Sequence, residues 1–173
     1  MNAGATLSPC RKYRYALWRE WDATKPTVIF CGLNPSTADE TVDDPTVRRE
    51  LAYARDWGFG RYVKLNAYGL RSTDPKGLWR VDDPVGPDNL LAIKRHYFEA
   101  SRQPGALFVA AWGNNIRERE AYELRRMLRL EGVTVHALKL TKQGNPQHPL
   151  YLPKDLVPFE WTTRTPAKLP ASP

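Results

Sequence analysis

The stretch Thr27-Val-Ile-Phe-Cys-Gly-Leu-Asn-Pro-Ser36 decides how this chain folds. Four apolar residues run unbroken from Val28 to Cys31 behind Pro26, and such a run reads as a strand buried on both faces, the mark of a parallel sheet. The strand ends in a tight Gly-x-Asn-Pro turn at Gly32. In open α/β sheets, ligands bind in the crevice beyond the carboxyl ends of the strands, so Asn34 stands where a site forms, with a carbonyl and an amine to offer. The plain alternative is a turn in which Pro35 fixes φ and Asn34 caps the next segment.

Outward from this strand, the pattern alternates between strand and helix. Upstream, residues 1–10 are small and polar and read as a loose terminus, and Tyr13, Tyr15 and Leu17 then alternate as an edge strand or hairpin arm. Downstream, Asp44-Pro45 is a helix start, with Val47, Leu51, Ala54 and Trp57 at helical spacing and glycines 58 and 60 as the stop. A second strand covers 61–66 and ends at Asn66. The segment 67–89 is long and rich in Pro, Gly and Asp, which in a compact domain marks a functional or tightly packed loop. A helix near 88–101 uses Leu90, Ile93 and Tyr97. Strands over 106–112 and 133–138 bracket an amphipathic helix at 116–131, and a proline-rich loop over 144–153 carries His148.

This order predicts an α/β fold, a three-layer α/β/α sandwich around a central, about four-stranded parallel sheet. A length of 173 residues suits one domain with a true core, expected over 11–160 with flexible termini at 1–10 and 161–173. Two cysteines, neither in a C-x-x-C pair, disfavour a zinc or disulfide framework and suit a reducing, cytoplasmic setting. No apolar signal core opens the chain, and no run reaches the roughly 18 apolar residues of a membrane span. The formal charge of +7 favours a polyanionic partner, DNA or a nucleotide. No membrane, metal or cofactor is called for, and the chain is expected to act as a monomer.

Each candidate polar group follows a predicted strand: Asn34 the first, Asn66 and Arg71 the second, Trp112 and Gly113 the third, His148 the fourth. Strand ends of this architecture converge, so these groups are expected in one crevice, with amides to hold water or read a base edge and an imidazole to stabilise negative charge. Asp43 and Asp44 are read as loop and capping groups before Pro45 rather than as a catalytic pair. The arginines at 117, 119, 125, 126 and 129 are read as a solvated helix face.

A resemblance follows from these residues. Cys31-Gly-Leu-Asn-Pro-Ser36 is similar to the first motif of the uracil-DNA glycosylase superfamily, Asn66 to Arg71 to its second strand end, and His148-Pro149 to its late His-Pro motif. That resemblance implies catalytic roles for Asn34, orienting water, and for His148, stabilising the departing base. It also implies substrate contacts from Gly32, Pro35, Ser36, Asn66, Arg71, Trp112, Gly113 and Tyr151, with the 150–152 stretch filling the vacated base stack. Ser36 and Leu150 depart from the pattern. A closer similarity, over about 12–153, is to a bacterial and phage family of unknown function carrying Leu-Asn-Pro-Ser-Thr-Ala-Asp (33–39), Asp-Asp-Pro-Thr (43–46), Asp-Pro-Val-Gly-Pro (83–87), Ala-Trp-Gly (111–113) and His-Pro-Leu-Tyr (148–151). The expectation is a glycosylase-like hydrolase of DNA repair or modification. The alternative is a non-catalytic nucleic-acid or nucleotide-binding protein that keeps the crevice.

Overall fold

The computed structural model describes residues 2–161. Seven strands form one mixed sheet: β1 (Asn2–Leu7), β2 (Arg14–Glu20), β3 (Thr27–Gly32), β4 (Arg61–Asn66), β5 (Leu107–Ala110), β6 (Val135–Ala137) and β7 (Phe159–Glu160), in the order β1-β2-β4-β3-β5-β6-β7. The decisive strand β3 is buried along its whole length and lies parallel to both β4 and β5, with β6 parallel to β5 beyond. The expectation of about four parallel strands is corrected by three further strands. Among these, β2 joins β4 antiparallel, β1 joins β2 antiparallel, and β7 joins β6 antiparallel.

Three helices connect the parallel strands: α1 (Pro45–Asp56), α2 (Asn89–Ser101) and α3 (Glu118–Leu130). Alternate residues of a strand face opposite ways, and the sheet uses both faces. Val28, Phe30, Tyr62 and Val109 pack with Val47, Leu51 and Ala54 of α1. Ile29, Val63, Leu65 and Phe108 pack with Ile93 of α2 and Leu124 and Leu128 of α3. Burial of each such large apolar side chain contributes about 1.5–3 kcal/mol. The inward stripe of α2 differs from expectation, since Leu90 is largely outside and His96 and Ala100 are inside. Within 67–89, Pro75–Arg80 forms a 3₁₀ turn capped by Asp74.

The termini are more ordered than their composition suggests. Residues 2–7, read as loose, form β1, whose Gly4 opposes Trp18. A Cβ at Gly4 would run into that indole, so the small residues there serve a close approach. Trp161, assigned to a flexible tail, is buried and meets Trp112 edge to face at 5.6 Å. Met1 and residues 162–173, also read as flexible, lie outside the described residues.

Candidate functional site

Beyond the carboxyl ends of β3, β4 and β5, beside the start of α1, a cavity of about 540 Å³ opens. Its floor comes from β4, where the two-residue period puts Tyr62, Lys64 and Asn66 on the face toward α1. Lys64 and Asn66 line the cavity. Beneath them Glu50 of α1, with no exposed surface, accepts from Lys64 Nζ and from the Tyr62 hydroxyl, each at 2.6 Å. Burial, then the Glu50 charge, pushes the Tyr62 hydroxyl well above the usual phenol range.

Asn66 is 1% exposed, and neither its Oδ1 nor its Nδ2 has a hydrogen-bond partner. Such unmet groups cost about 1–3 kcal/mol each, which sets this amide apart from the partnered polar groups of the cavity lining. Its backbone is fixed from below: buried Asn89, at the start of α2, donates Nδ2 to the carbonyls of Asn66 at 2.9 Å and Ala67 at 3.1 Å. Gly32 pairs with Asn66 across β3 and β4. A Cβ there would lie 2.7 Å from Lys64 Nζ and 3.1 Å from Asn66 Oδ1, so glycine keeps the floor open.

Asn34 also lines the cavity. Its amine donates to the carbonyls of Pro35 at 2.9 Å and Ser72 at 2.8 Å, which leaves Oδ1 as the acceptor it presents. His148 approaches from the loop after β6 and caps the 3₁₀ turn Pro149–Tyr151, its Nδ1 accepting from the Leu150 N–H at 3.3 Å. The neutral ring then carries its proton on Nε2. His148 is exposed and lines the cavity, yet desolvation foremost, and then the nearby Lys64 charge, lower its pKa to about 4. Arg14 of β2 closes the inner wall: Nη1 donates to the Ala38 carbonyl, Nε has no partner, and burial lowers its pKa from the usual guanidinium value.

Gly32, Asn34, Ser36, Asn66, Trp112, Gly113 and His148 thus share one hollow. Gly113 turns there at φ +69° and donates its N–H to the Pro146 carbonyl, joining the end of β5 to the His148 loop. Three expected residues do not line it. Pro35 contributes a backbone carbonyl to the loop lacing, Arg71 reaches only toward the Thr37 carbonyl at 3.5 Å, and Tyr151 stands 91% exposed outside. Trp112, expected to contact substrate, is 1% exposed and packed against Trp161, so it supplies wall rather than a free stacking platform. Asp44 caps α1 through Val47 N at 2.8 Å, and Asp43 binds Arg19 at 2.7 Å.

Sequence reasoning passed over Lys64, Glu50, Arg14 and Asn89. The available signal was a polar row, Tyr62, Lys64 and Asn66, at period two, alternating with the apolar Val63 and Leu65. Among the described residues no group of three or more His, Cys, Asp or Glu side chains could hold a metal, and no helix is long and apolar enough to cross a membrane. A family model described as a protein of unknown function (DUF1643) matches residues 14–150. No curated protein and no solved structure matches the chain.

Proposed function

Because the chain belongs to the DUF1643 family, whose description carries no activity, we propose a function from the cavity: hydrolysis of the N-glycosidic bond of a modified or mispaired nucleobase in DNA, by a uracil-DNA glycosylase-like fold. The observation that carries this reading is the buried, doubly unpartnered amide of Asn66 at the floor of a hollow of about 540 Å³, roomy enough for a nucleobase with its sugar, flanked by Asn34 and His148. The motif resemblance and the parallel strands that bring its three motifs to one sheet edge support it.

In this mechanism the base leaves its stack and pairs one edge with Asn66. The bond between C1′ and the base nitrogen breaks, its electron pair passing to the base. His148 donates from Nε2 to the oxygen on which that charge develops, as a neutral donor held by Leu150. Amides are weak bases, so the sugar becomes oxocarbenium-like before water adds. Asn34 Oδ1, steadied by the Pro35 and Ser72 carbonyls, orients that water, whose proton passes to solvent.

Ser36 in the cavity wall, where the glycosylase pattern has glycine, favours the second reading, a binding protein without hydrolysis. Oligonucleotides bearing uracil, hypoxanthine, hydroxymethyluracil or phage-type modified pyrimidines, treated with protein and then alkali, separate the two. Strand breaks at one of these bases are expected. Salt-dependent DNA binding with every substrate left intact overturns the enzymatic reading.

A further inference from the structure

A second cavity, of about 360 Å³, opens between α3 and the entry to β6, and it shares no lining residue with the first. Tyr122, Arg125, Arg126 and Arg129 line it from α3. Their spacing of three and four residues sets them on one continuous helix face. Arg125 is half-buried there and Arg126 is exposed, and among the described residues neither has a hydrogen-bond or ion-pair partner. Burial lowers the pKa of Arg125 from the usual guanidinium value, and the Glu118 charge opposes this only in part. Like charges at neighbouring helix positions repel, so the helix alone does not favour this face. Glu131, which follows the helix, is held by Lys94 at 2.7 Å, and the carbonyls of Met127, Leu128 and Arg129 accept from the N–H groups of Glu131, Val133 and Gly132.

The remaining wall is apolar. Val133 and Val135 pack against the core, Trp161 belongs to it, and exposed Glu160 of β7 is the single carboxylate among the lining residues. We infer that this cavity binds a small phosphomonoester, one phosphate on an uncharged apolar body, with Arg125 and Arg126 taking the phosphate and Val133, Val135 and Trp161 the body. Each guanidinium offers five N–H donors and no acceptor, so two side by side suit a group rich in acceptors. A phosphomonoester brings a charge of about −1.5 to −2 and three acceptor oxygens, more than a carboxylate does. Glu160 disfavours a second anionic group in the same cavity, which argues against a nucleic-acid strand. The volume lies in the range that takes a small molecule. Nothing in this inference depends on base release at the first cavity.

The test is calorimetry and ¹H–¹⁵N NMR of the full chain with phenyl phosphate, inorganic phosphate, benzoate and phenol. Phenyl phosphate is expected to bind about tenfold or more tighter than each of the others, the scale of one charge-assisted hydrogen bond. Uridine 5′-monophosphate, titrated beside it, tells whether the favoured body is a nucleoside or a simple aryl group, and tighter binding than inorganic phosphate by either supports the site. Arg125→Met/Arg126→Met is expected to weaken phenyl phosphate about tenfold or more, whereas Arg119→Met, on the same helix but outside the cavity, leaves it unchanged. In wild type the indole N–H resonance of Trp161 is expected to move with phenyl phosphate, a readout that needs no variant to fold. Both phosphomonoesters binding no tighter than inorganic phosphate, benzoate binding as well as phenyl phosphate, or undiminished binding by the folded double variant overturns the inference. So does an equal loss in Arg119→Met, an unmoved Trp161 resonance, or a shift confined to the indole of Trp112, which lines the first cavity.

Discussion

The side-chain amine of Asn34 donates to the Ser72 carbonyl at 2.8 Å, tying the turn after β3 to the loop after β4 across 38 residues of sequence. Both amine hydrogens of Asn34 are held by backbone, so its oxygen has one orientation. Asn34→Ala is expected to slow single-turnover base release about 100-fold or more, the usual scale for losing one preorganised polar group. Stability should fall by only about 1 kcal/mol, for the lost hydrogen bonds. Quenched-flow cleavage and urea unfolding of the same preparation check the two numbers, and a large stability loss with unchanged cleavage would reassign Asn34 to the turn.

Lys64 and Glu50 form an ion pair with side chains 5% and 0% exposed. Removing one partner leaves a buried charge, so Lys64→Met is expected to cost about 3–5 kcal/mol. Glu50→Gln/Lys64→Met should recover most of that loss, because no unpaired charge remains. Urea denaturation of the two single variants and the double variant measures the coupling, and additive losses would contradict it.

His148 makes a pH prediction with a definite sign. Its folded pKa of about 4 lies below the ordinary histidine value of about 6.5. The neutral ring is therefore favoured by folding: its contribution to stability is complete above pH 6.5 and is lost as pH falls from 6.5 through 4. Base release that uses the neutral Nε2–H donor should be level from pH 6 to 8, without an inflection near 6.5. A pH–rate profile, with NMR titration of the ring protons, reads both, and an inflection near 6.5 assigned to His148 would refute the placement.

Gly32→Ala inserts a Cβ 2.7 Å from Lys64 Nζ and 3.1 Å from Asn66 Oδ1. Lys64 has a flexible stem and can yield, so the fold should survive with a loss of roughly 1–2 kcal/mol. Base binding should suffer more, because the methyl group occupies the floor where the ligand edge pairs. Calorimetric titration with a free base, set beside a thermal melt, distinguishes a blocked floor from a damaged core.

The central strands and the loops beyond them were legible because their signals are local. Val28 to Cys31 is an unbroken apolar run, Asp44-Pro45 is a helix start, and Gly113 marks a turn at positive φ. What stayed hidden depends on partners distant in the chain. β1 has no alternation to read, since its small residues answer to the Trp18 ring across the ladder, and β7 is two residues long. Arg71 and Tyr151 matched motifs but not the cavity, because a motif fixes spacing along the chain and leaves side-chain direction to the packing. The Lys64 charge became intelligible only with Glu50 beneath it, from the helix on that face.

The most direct test is mass spectrometry of the products when wild type and Asn34→Ala are incubated in H₂¹⁸O with oligonucleotides carrying uracil or hypoxanthine. The account predicts free base released by wild type, one ¹⁸O atom on the sugar C1′ left behind, and release that is strongly slowed in Asn34→Ala. Intact oligonucleotides throughout, or a release rate indifferent to Asn34, would contradict it.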